Sequence, residues 1–416
     1  MAATHTRITT TAIAIIGAGP CGLTFARLLE TQNVDYVVFE RDVDTSPNPM
    51  HHGGTLDLHA NSGQQAIKRA GLFDGFKKLA RWDATTVVIQ DSKCNLKTKM
   101  GEGRDAPEID RFQLRQLLLE SIPPHKVHWD HAVRSIERDG NPNSETPRMV
   151  INFANGTSIS GFRLVVGADG AWSEVRPMIT PEKPEYSGKM FLEGRISRGN
   201  PSYESALELS GPGSMMALGH GRALMVQQVA DCSYRVYMGL QAPETLIRTS
   251  LDLSDSEATR DKLLSSAEFY KDFAPSLRQF IAHAEGPFRP WLLHRMPVSS
   301  LDWTHVPGVT LLGDAAHVST PFVGEGVNMA MHDALKLAES IENHCSGLKG
   351  NLFEDSGKLE QALAEYETEM LGRAQDFIGR CIISENMFFA DNGAQIVIDA
   401  IADAMKNQKQ RLFESS

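Results

Sequence analysis

The chain has 416 residues, 41% of them hydrophobic and 22% charged, with 41 Lys and Arg against 52 Asp and Glu for a formal net charge of −11. That length is more than one hydrophobic core serves, and the acidic balance excludes a nucleic-acid backbone or an anionic membrane as the main partner. Five scattered cysteines (Cys21, Cys94, Cys232, Cys345, Cys381) form no CxxC or Cys/His cluster, and no apolar run reaches the roughly 18 residues of a membrane span. The expectation is a cytoplasmic monomer with reduced thiols and no resident metal.

In chain order, Met1–Thr11 is a Thr-rich tail and Ala12–Ile16 reads as a strand running into glycines. A helix over Cys21–Gln32 follows, with Leu23, Ala26 and Leu29 on one face, and a second strand ends at Glu40-Arg41. The stretch "HHGGTLDLHANSGQQAIKRAGLFDGF" gives a loop or short strand and then a helix, and "EIDRFQLRQLLLESI" another helix with Asp110 as N-cap. Asn155-Gly156 signals a hairpin, and Leu164–Val166 a buried strand. From about Ile179 to Leu293 the segments are short and alternating, as in an antiparallel sheet with one covered face. A strand, turn and helix return at Leu311–Ala334, followed by a long helix over about Lys358–Ala390 and a further helix.

Gly17, Gly19 and Gly22 fit GxGxxG between a strand and a helix. The first glycine permits a tight turn, the second lets a pyrophosphate approach the backbone, and the third lets helix and strand pack closely. Glu40 lies near the spacing of about 20 residues expected for an acid that accepts hydrogen bonds from a ribose. One fingerprint, with no second, leaves room for one tightly held dinucleotide.

Two later stretches complete the pattern: "GADGAWSEVR" from Gly167, and Gly313-Asp314-Ala-Ala-His317, Pro321, Gly324-Glu325-Gly326 and Asn328. The three in this order resemble the single-component FAD-dependent aromatic hydroxylases, the group A flavoprotein monooxygenases. The resemblance implies an α/β fold: a Rossmann-type FAD-binding domain, an inserted antiparallel-sheet substrate domain and a long C-terminal helix. The expected domains are 1–73, 104–178 and 294–342 for FAD, 74–103 and 179–293 for substrate, and 343–416 as a helical segment bridging the two. Asp314 is an acceptor-only carboxylate suited to ribityl hydroxyls, and the helix from about Val327 aims its positive end at the flavin edge where charge collects on reduction. His317 reads as a packing and hydrogen-bonding residue of the turn, and no catalytic side chain is required.

"GGTLDLH", Gly53 to His59, followed by "NSGQQAIKRAGL", is similar to the tetracycline-inactivating branch of that family. The resemblance implies flavin contacts from Asp57 and from Arg115, and the full cofactor set is Gly17, Gly19, Pro20, Cys21, Gly22, Glu40, Arg41, Gly54, Thr55, Asp57, Arg115, Asp169, Gly313, Asp314, Pro321, Gly324, Gly326, Val327 and Asn328. Substrate contacts are expected from Glu193, His220, Tyr237, Gly239, Phe322 and Met387. The chain departs from the branch at Met50, where an arginine associated with NADPH is expected, at Glu325 in place of Gln, at Glu193 in place of a substrate-binding Gln, at Tyr237 in a His-x-Gly contact, and at Met215 in place of a substrate-facing arginine. Met387-Phe388-Phe389 either covers the substrate cavity or belongs to the core, and His51-His52 is an exposed pair.

The function implied is an NADPH-consuming, FAD-dependent monooxygenase using O2. It would hydroxylate an electron-rich phenol or enol carbon of a polycyclic or aromatic small molecule through a flavin C4a-hydroperoxide, tetracyclines among them. The alternatives are a hydroxylase or epoxidase of another secondary metabolite, a lipid reductase of the same fold, and a non-catalytic flavoprotein that sequesters a ligand.

Overall fold

The computed structural model describes residues 6–9, 11–46, 54–95, 97–139, 148–345 and 356–414. Met50, His51, His52 and Gly53 lie outside them. The chain forms two compact units, one of Met1–Ala80, Ile109–Glu185 and His294–Gly379, the other of Arg81–Glu108, Tyr186–Leu293 and Arg380–Ser416.

The first unit is built on a five-stranded parallel sheet in the order Val309–Leu311, Leu164–Gly167, Ile13–Ile16, Tyr36–Phe39, Val127–His128. Four of these strands, IAII, YVVF, LVVG and VTL, are buried at every position, so both faces are covered and the sequence shows no alternation. Register then does the positioning. Ile16 pairs with Phe39 and Gly167, and Gly167 with Leu311. The four carboxyl ends therefore lie in one row, and the loops that leave them share one edge of the sheet.

The helix after the first strand runs Pro20–Thr31 and buries Leu23, Phe25, Ala26, Leu28 and Leu29. Its proline occupies the first turn, where no donor is lost, so the helix begins one residue before the sequence expectation. Gly326–Cys345 packs against it. Asp110 holds the N-cap position of Arg111–Leu119 without a side-chain capping bond. A second sheet pairs Thr6–Ile8, Ser158–Phe162, Arg148–Phe153 and Val133–Asp139, its hairpin turning at Gly156 with φ 85°.

The expected long helix spans Ser356–Phe388, and another runs Gly393–Glu414. The two units divide this C-terminal region at Gly379. Leu359, Ala362, Leu363, Tyr366 and Met370 are buried at 1% exposure or less, and Tyr366 donates its hydroxyl to Leu311 O at 2.9 Å. Among the described residues no helix is long and apolar enough to cross a membrane.

The second unit carries a seven-stranded sheet, Glu285–Arg295, Glu185–Ile196, Tyr234–Gln241, Arg222–Gln228, Ser214–Gly219, Val87–Asp91, Lys97–Met100. The run from Glu185–Ile196 to Lys97–Met100 is antiparallel as expected, except that Val87–Asp91 runs parallel to Ser214–Gly219. That strand comes from a separate excursion of the chain, so no tight turn dictates its direction. On one face Met190, Leu192, Met215, Leu224, Val226, Val236 and Met238 bury completely beneath Leu263, Tyr270 and Phe280.

An ion cluster fastens the long helix to the loop before Val309. His305 Nδ1 lies 2.9 Å from Glu367 and Nε2 3.1 Å from Glu360, while Glu360 also accepts the Gly308 N–H at 3.1 Å. Two carboxylates on the two ring nitrogens require both to be donors, hence an imidazolium. Burial opposes that charge, but the hydrogen bonds to Glu360 and Glu367 outweigh it and push the His305 pKa up to about 9. A proton held more tightly folded than unfolded stabilises fully below about pH 6.5 and is lost as pH rises through about 9. The melting temperature is expected to fall across that window, and His305→Gln to flatten this part of the profile in differential scanning calorimetry.

Candidate active site

The Gly17–Gly22 turn is dictated by contacts at both ends. Gly17 has φ +108°, and a Cβ there would lie 2.4 Å from Ala168 O. A Cβ on Gly22 would lie 2.1 Å from Gly17 O. A Cβ on Gly19 would meet nothing within 4 Å. Two glycines thus serve the fold, and the third opens onto free space. Cys21 faces inward, its thiol donating to Ala330 O at 3.0 Å, and burial first, with Asp333 and Asp314 adding to it, raises its pKa well above the ordinary thiol value.

Glu40, 7% exposed, accepts the Ala18 N–H at 2.5 Å on one oxygen and the Asp42 N–H at 3.0 Å on the other. Each oxygen keeps a lone pair for a further donor. Arg115 donates through Nε to Ala18 O at 2.8 Å and through Nη2 to Asp42 at 2.9 Å, so its guanidinium clamps the turn to the end of the second strand. Arg41 is exposed.

A buried arginine that sequence reading left without a role joins the other two motifs. Arg176 donates Nε to Ala315 O at 2.7 Å and Nη2 to Ala171 O at 2.7 Å and Asp314 O at 3.2 Å. Its signal was in plain view as the last residue of "GADGAWSEVR". Beneath it, Asp333 accepts the Gly313 N–H at 3.0 Å, His317 Nε2 at 2.6 Å and Arg373 Nη2 at 2.8 Å. Burial would raise the Asp333 pKa, but His317 and then Arg373 hold it below the usual carboxylate range. His317 is 1% exposed and has the packing role expected of it. Asp314 itself is exposed, as are Pro321, Gly324 and Gly326.

The Thr55–Asp57 strand is tied in by Asn328. Its amide donates to Asp57 O at 2.8 Å and its Oδ1 accepts His59 N–H at 2.8 Å and Gly63 N–H at 3.3 Å. The side chain of Asn328 is therefore spent on the protein, and only its main chain can serve a ligand. Asp57 pairs with His59 Nε2 at 3.0 Å. Gly54 is partly exposed beside it. The first helical bond after Gly326 is Met329 N–H to Glu325 O at 2.8 Å, which leaves the amides of Gly326, Val327 and Asn328 without acceptors in their own helix.

The expected substrate residues do not form one cluster. Glu193 and Tyr237 face each other across paired strands. Glu193 is 6% exposed and accepts Trp291 Nε1 at 2.6 Å, with Arg235 Nη1 3.6 Å away. Gly239 is packed, since a Cβ there would lie 2.7 Å from the Phe191 ring, and its carbonyl accepts the Tyr270 hydroxyl at 2.8 Å. His220 sits at a hairpin tip with φ 54°, lining a cavity of about 470 Å³ with Arg222, Gln241, Glu268, Phe389 and Asp391. Phe322, Phe388 and Phe389 are buried and Met387 is partly exposed. Met215 does not share a face with Tyr237: it is fully buried in the apolar core, and Met216 takes the other face. A one-residue shift in a strand reverses the side-chain direction.

These residues fit FAD. Gly19 offers an unhindered backbone, Asp314 an exposed carboxylate and Gly326–Asn328 a row of amides without acceptors in their own helix, while Thr55 Oγ1 and Asp169 Oδ1 are buried with no partner among the described residues. Burial raises the Asp169 pKa, opposed by hydrogen bonds from Ser173 and Glu174, as expected of an acceptor awaiting a further donor. Gly19→Ala should fold with a melting temperature within a few degrees of the parent but hold FAD at least tenfold more weakly by fluorescence titration. Gly22→Ala, by contrast, should lose the fold of the turn itself. Asp333→Asn should cost about 3–5 kcal/mol in urea unfolding of the apoprotein, the penalty of leaving buried partners uncompensated.

The FAD binding domain family matches residues 10–194 and 283–376. Monooxygenase penA of Penicillium thymicola is 31% identical, covering 94% of this chain and 98% of that protein. Among solved structures, Klebsiella pneumoniae HpxO complexed with FAD and uric acid is similar with a TM-score of 0.73 at 20% identity, over 97% of this chain and 95% of that one. Tetracycline destructase Tet(55) is similar with a TM-score of 0.69 at 19% identity, over 95% and 96%. Three motif loops on one sheet edge and a family match over most of the length agree: the chain belongs to the FAD binding domain family and is an FAD-dependent monooxygenase.

Proposed function

We propose that this monooxygenase draws electrons from NADPH and transfers one atom of O2 to an electron-rich phenol or enol carbon of a polycyclic small molecule, tetracyclines being the first class to test. The observation that supports it is the meeting, on one edge of the parallel sheet, of an open Gly19, an exposed Asp314 and the free amides at Gly326. FAD, when bound, supplies the hydride acceptance and the activation of oxygen.

The chain's own residues bind and polarise. Gly19 would admit a pyrophosphate to the helix end, Asp314 and Asp169 would accept hydroxyl donors, and the amides of Gly326–Asn328 would stabilise negative charge on the bound group, an effect of about 0.3–2 kcal/mol. Asp333 and Arg176 keep the Gly313–Asp314 backbone in position. His317 shares its proton with buried Asp333 and is not asked to deliver it. The reading keeps the protein in a reducing compartment, in keeping with five scattered cysteines that form no CxxC or Cys/His cluster.

A second reading, hydroxylation of another secondary metabolite, is favoured by Glu193, whose carboxylate is engaged by Trp291 and Arg235 rather than left for a substrate. The two separate in one experiment. Mass spectrometry of oxytetracycline after incubation with the FAD-loaded protein, NADPH and ¹⁸O₂ should show a gain of one labelled oxygen atom on the tetracycline reading. No gain from a protein that holds FAD and oxidises NADPH would assign it another polycycle. Asp314→Ala is expected to lose FAD, and a variant that stays stoichiometrically yellow would overturn the role of Asp314.

A further inference from the structure

In the second unit, the sheet face opposite the apolar core carries an aromatic and charged set that no motif announces. Glu193, Tyr237, Arg235 and Trp291 meet there, with Phe191 6.0 Å from the Tyr237 ring. Arg289, two residues before Trp291 on the same strand, lays its guanidinium 3.9 Å from the centre of the Trp291 ring. The Glu193 carboxylate is engaged by Trp291 and Arg235. Arg289 has no hydrogen-bonded or ion-paired acceptor among the described residues. Two guanidiniums thus face one carboxylate, and one positive charge stays uncompensated.

A partly buried, stacked guanidinium is costly to leave unpaired unless something else pairs with it. Burial pulls its pKa down from the ordinary arginine value, yet the group stays charged. Stacking fixes the plane of the fork while its N–H edge stays available, the geometry that suits a carboxylate or a delocalised oxyanion. The Trp291 ring on one face of the guanidinium extends a flat surface that favours a flat partner.

We propose that Arg289 is a specificity-determining residue that binds a planar anion, a carboxylate, phenolate or enolate borne on a ring system, with Trp291 and Glu193 positioning it. The inference rests on the monooxygenase reading for what the anion is there to do, though not for whether it binds. It differs from the sequence expectation in the residue that meets the ligand. Glu193 sets the Trp291 and Arg235 side chains, and Arg289 makes the contact.

The test uses the FAD-loaded full chain and two matched probes, 1-hydroxy-2-naphthoate and its neutral amide, 1-hydroxy-2-naphthamide, titrated by isothermal calorimetry. The parent should bind the carboxylate at least about tenfold more tightly than the amide. Arg289→Gln should reduce that preference below about threefold, and Arg289→Lys, which keeps the charge but not the fork, should retain an intermediate one. Melting temperature and flavin content are read on the same samples. Equal preference in parent and Arg289→Gln, or no binding of either probe at millimolar concentration, overturns the site. Arg289-dependent anion binding by a protein that transfers no oxygen to any polycyclic phenol or enol would overturn the proposed substrate class and leave the site standing. Oxygen transfer to 1-hydroxy-2-naphthoate with a KM unchanged by Arg289→Gln would do the reverse.

Discussion

The constraint on which the first unit depends is the alignment of four parallel strands at their carboxyl ends. Ile16, Phe39, Gly167 and Leu311 stand in register, so the turn at Gly17, the acid at Glu40, the loop at Asp169 and the turn at Gly313 leave the sheet side by side. Ligand sites in open α/β sheets lie outside this edge because helix N-termini and loop amides collect there. A slip of one residue in either outer strand would separate motifs that are far apart in the chain. The glycines enforce this alignment as much as they serve a ligand: the Ala168 carbonyl sits where a Gly17 side chain would be.

The second layer of organisation is polar. Arg176, Asp333, Asn328 and Arg115 spend their side chains on backbone groups of the motif loops. Such buried polar networks are high-stakes, since each member that loses a partner pays the full desolvation penalty. An apolar corner could hold the same loops as stably but could not fix where each carbonyl and amide points. Asp333 does this for Gly313 N–H while pairing with His317 and Arg373, and Glu369 takes a second contact of Arg373, so the turn is held by a charge-paired cluster and Asp314 remains exposed at the surface.

Much of this was legible from the residues. The first helix and the long C-terminal helix fall within two residues of their expected ends, and the helix at Gly326 starts within one residue of its expected start but runs on to Cys345, because Pro20, the glycines and the apolar spacing are local signals. The motif loops were found through the backbone freedom they require. What escaped has one cause: the partner lies elsewhere in the chain. Arg373 gives no local hint that it reaches Asp333, and nothing beside Arg176 in the sequence points to the carbonyls of Ala315 and Asp314. The parallel pairing of Val87–Asp91 depends on a strand from another excursion. Met215 was assigned to a ligand-facing position when Met216 faces that way, because a strand's parity cannot be counted across an uncertain turn.

The order of the parallel strands also sets when the protein can become what it is. The central strand at Ile13–Ile16 leaves the ribosome early, but the outer strand at Val309–Leu311 and the helix at Gly326 follow only after most of the chain is made. At about 5–20 residues per second, that is a wait on the order of tens of seconds. Throughout it the Gly17 turn has neither its Gly313 neighbour nor the Ala330 carbonyl that receives the Cys21 thiol. Completion of this sheet edge is thereby a late event, and a chain truncated before Val309 would carry the Gly17 turn without the elements that pack against it.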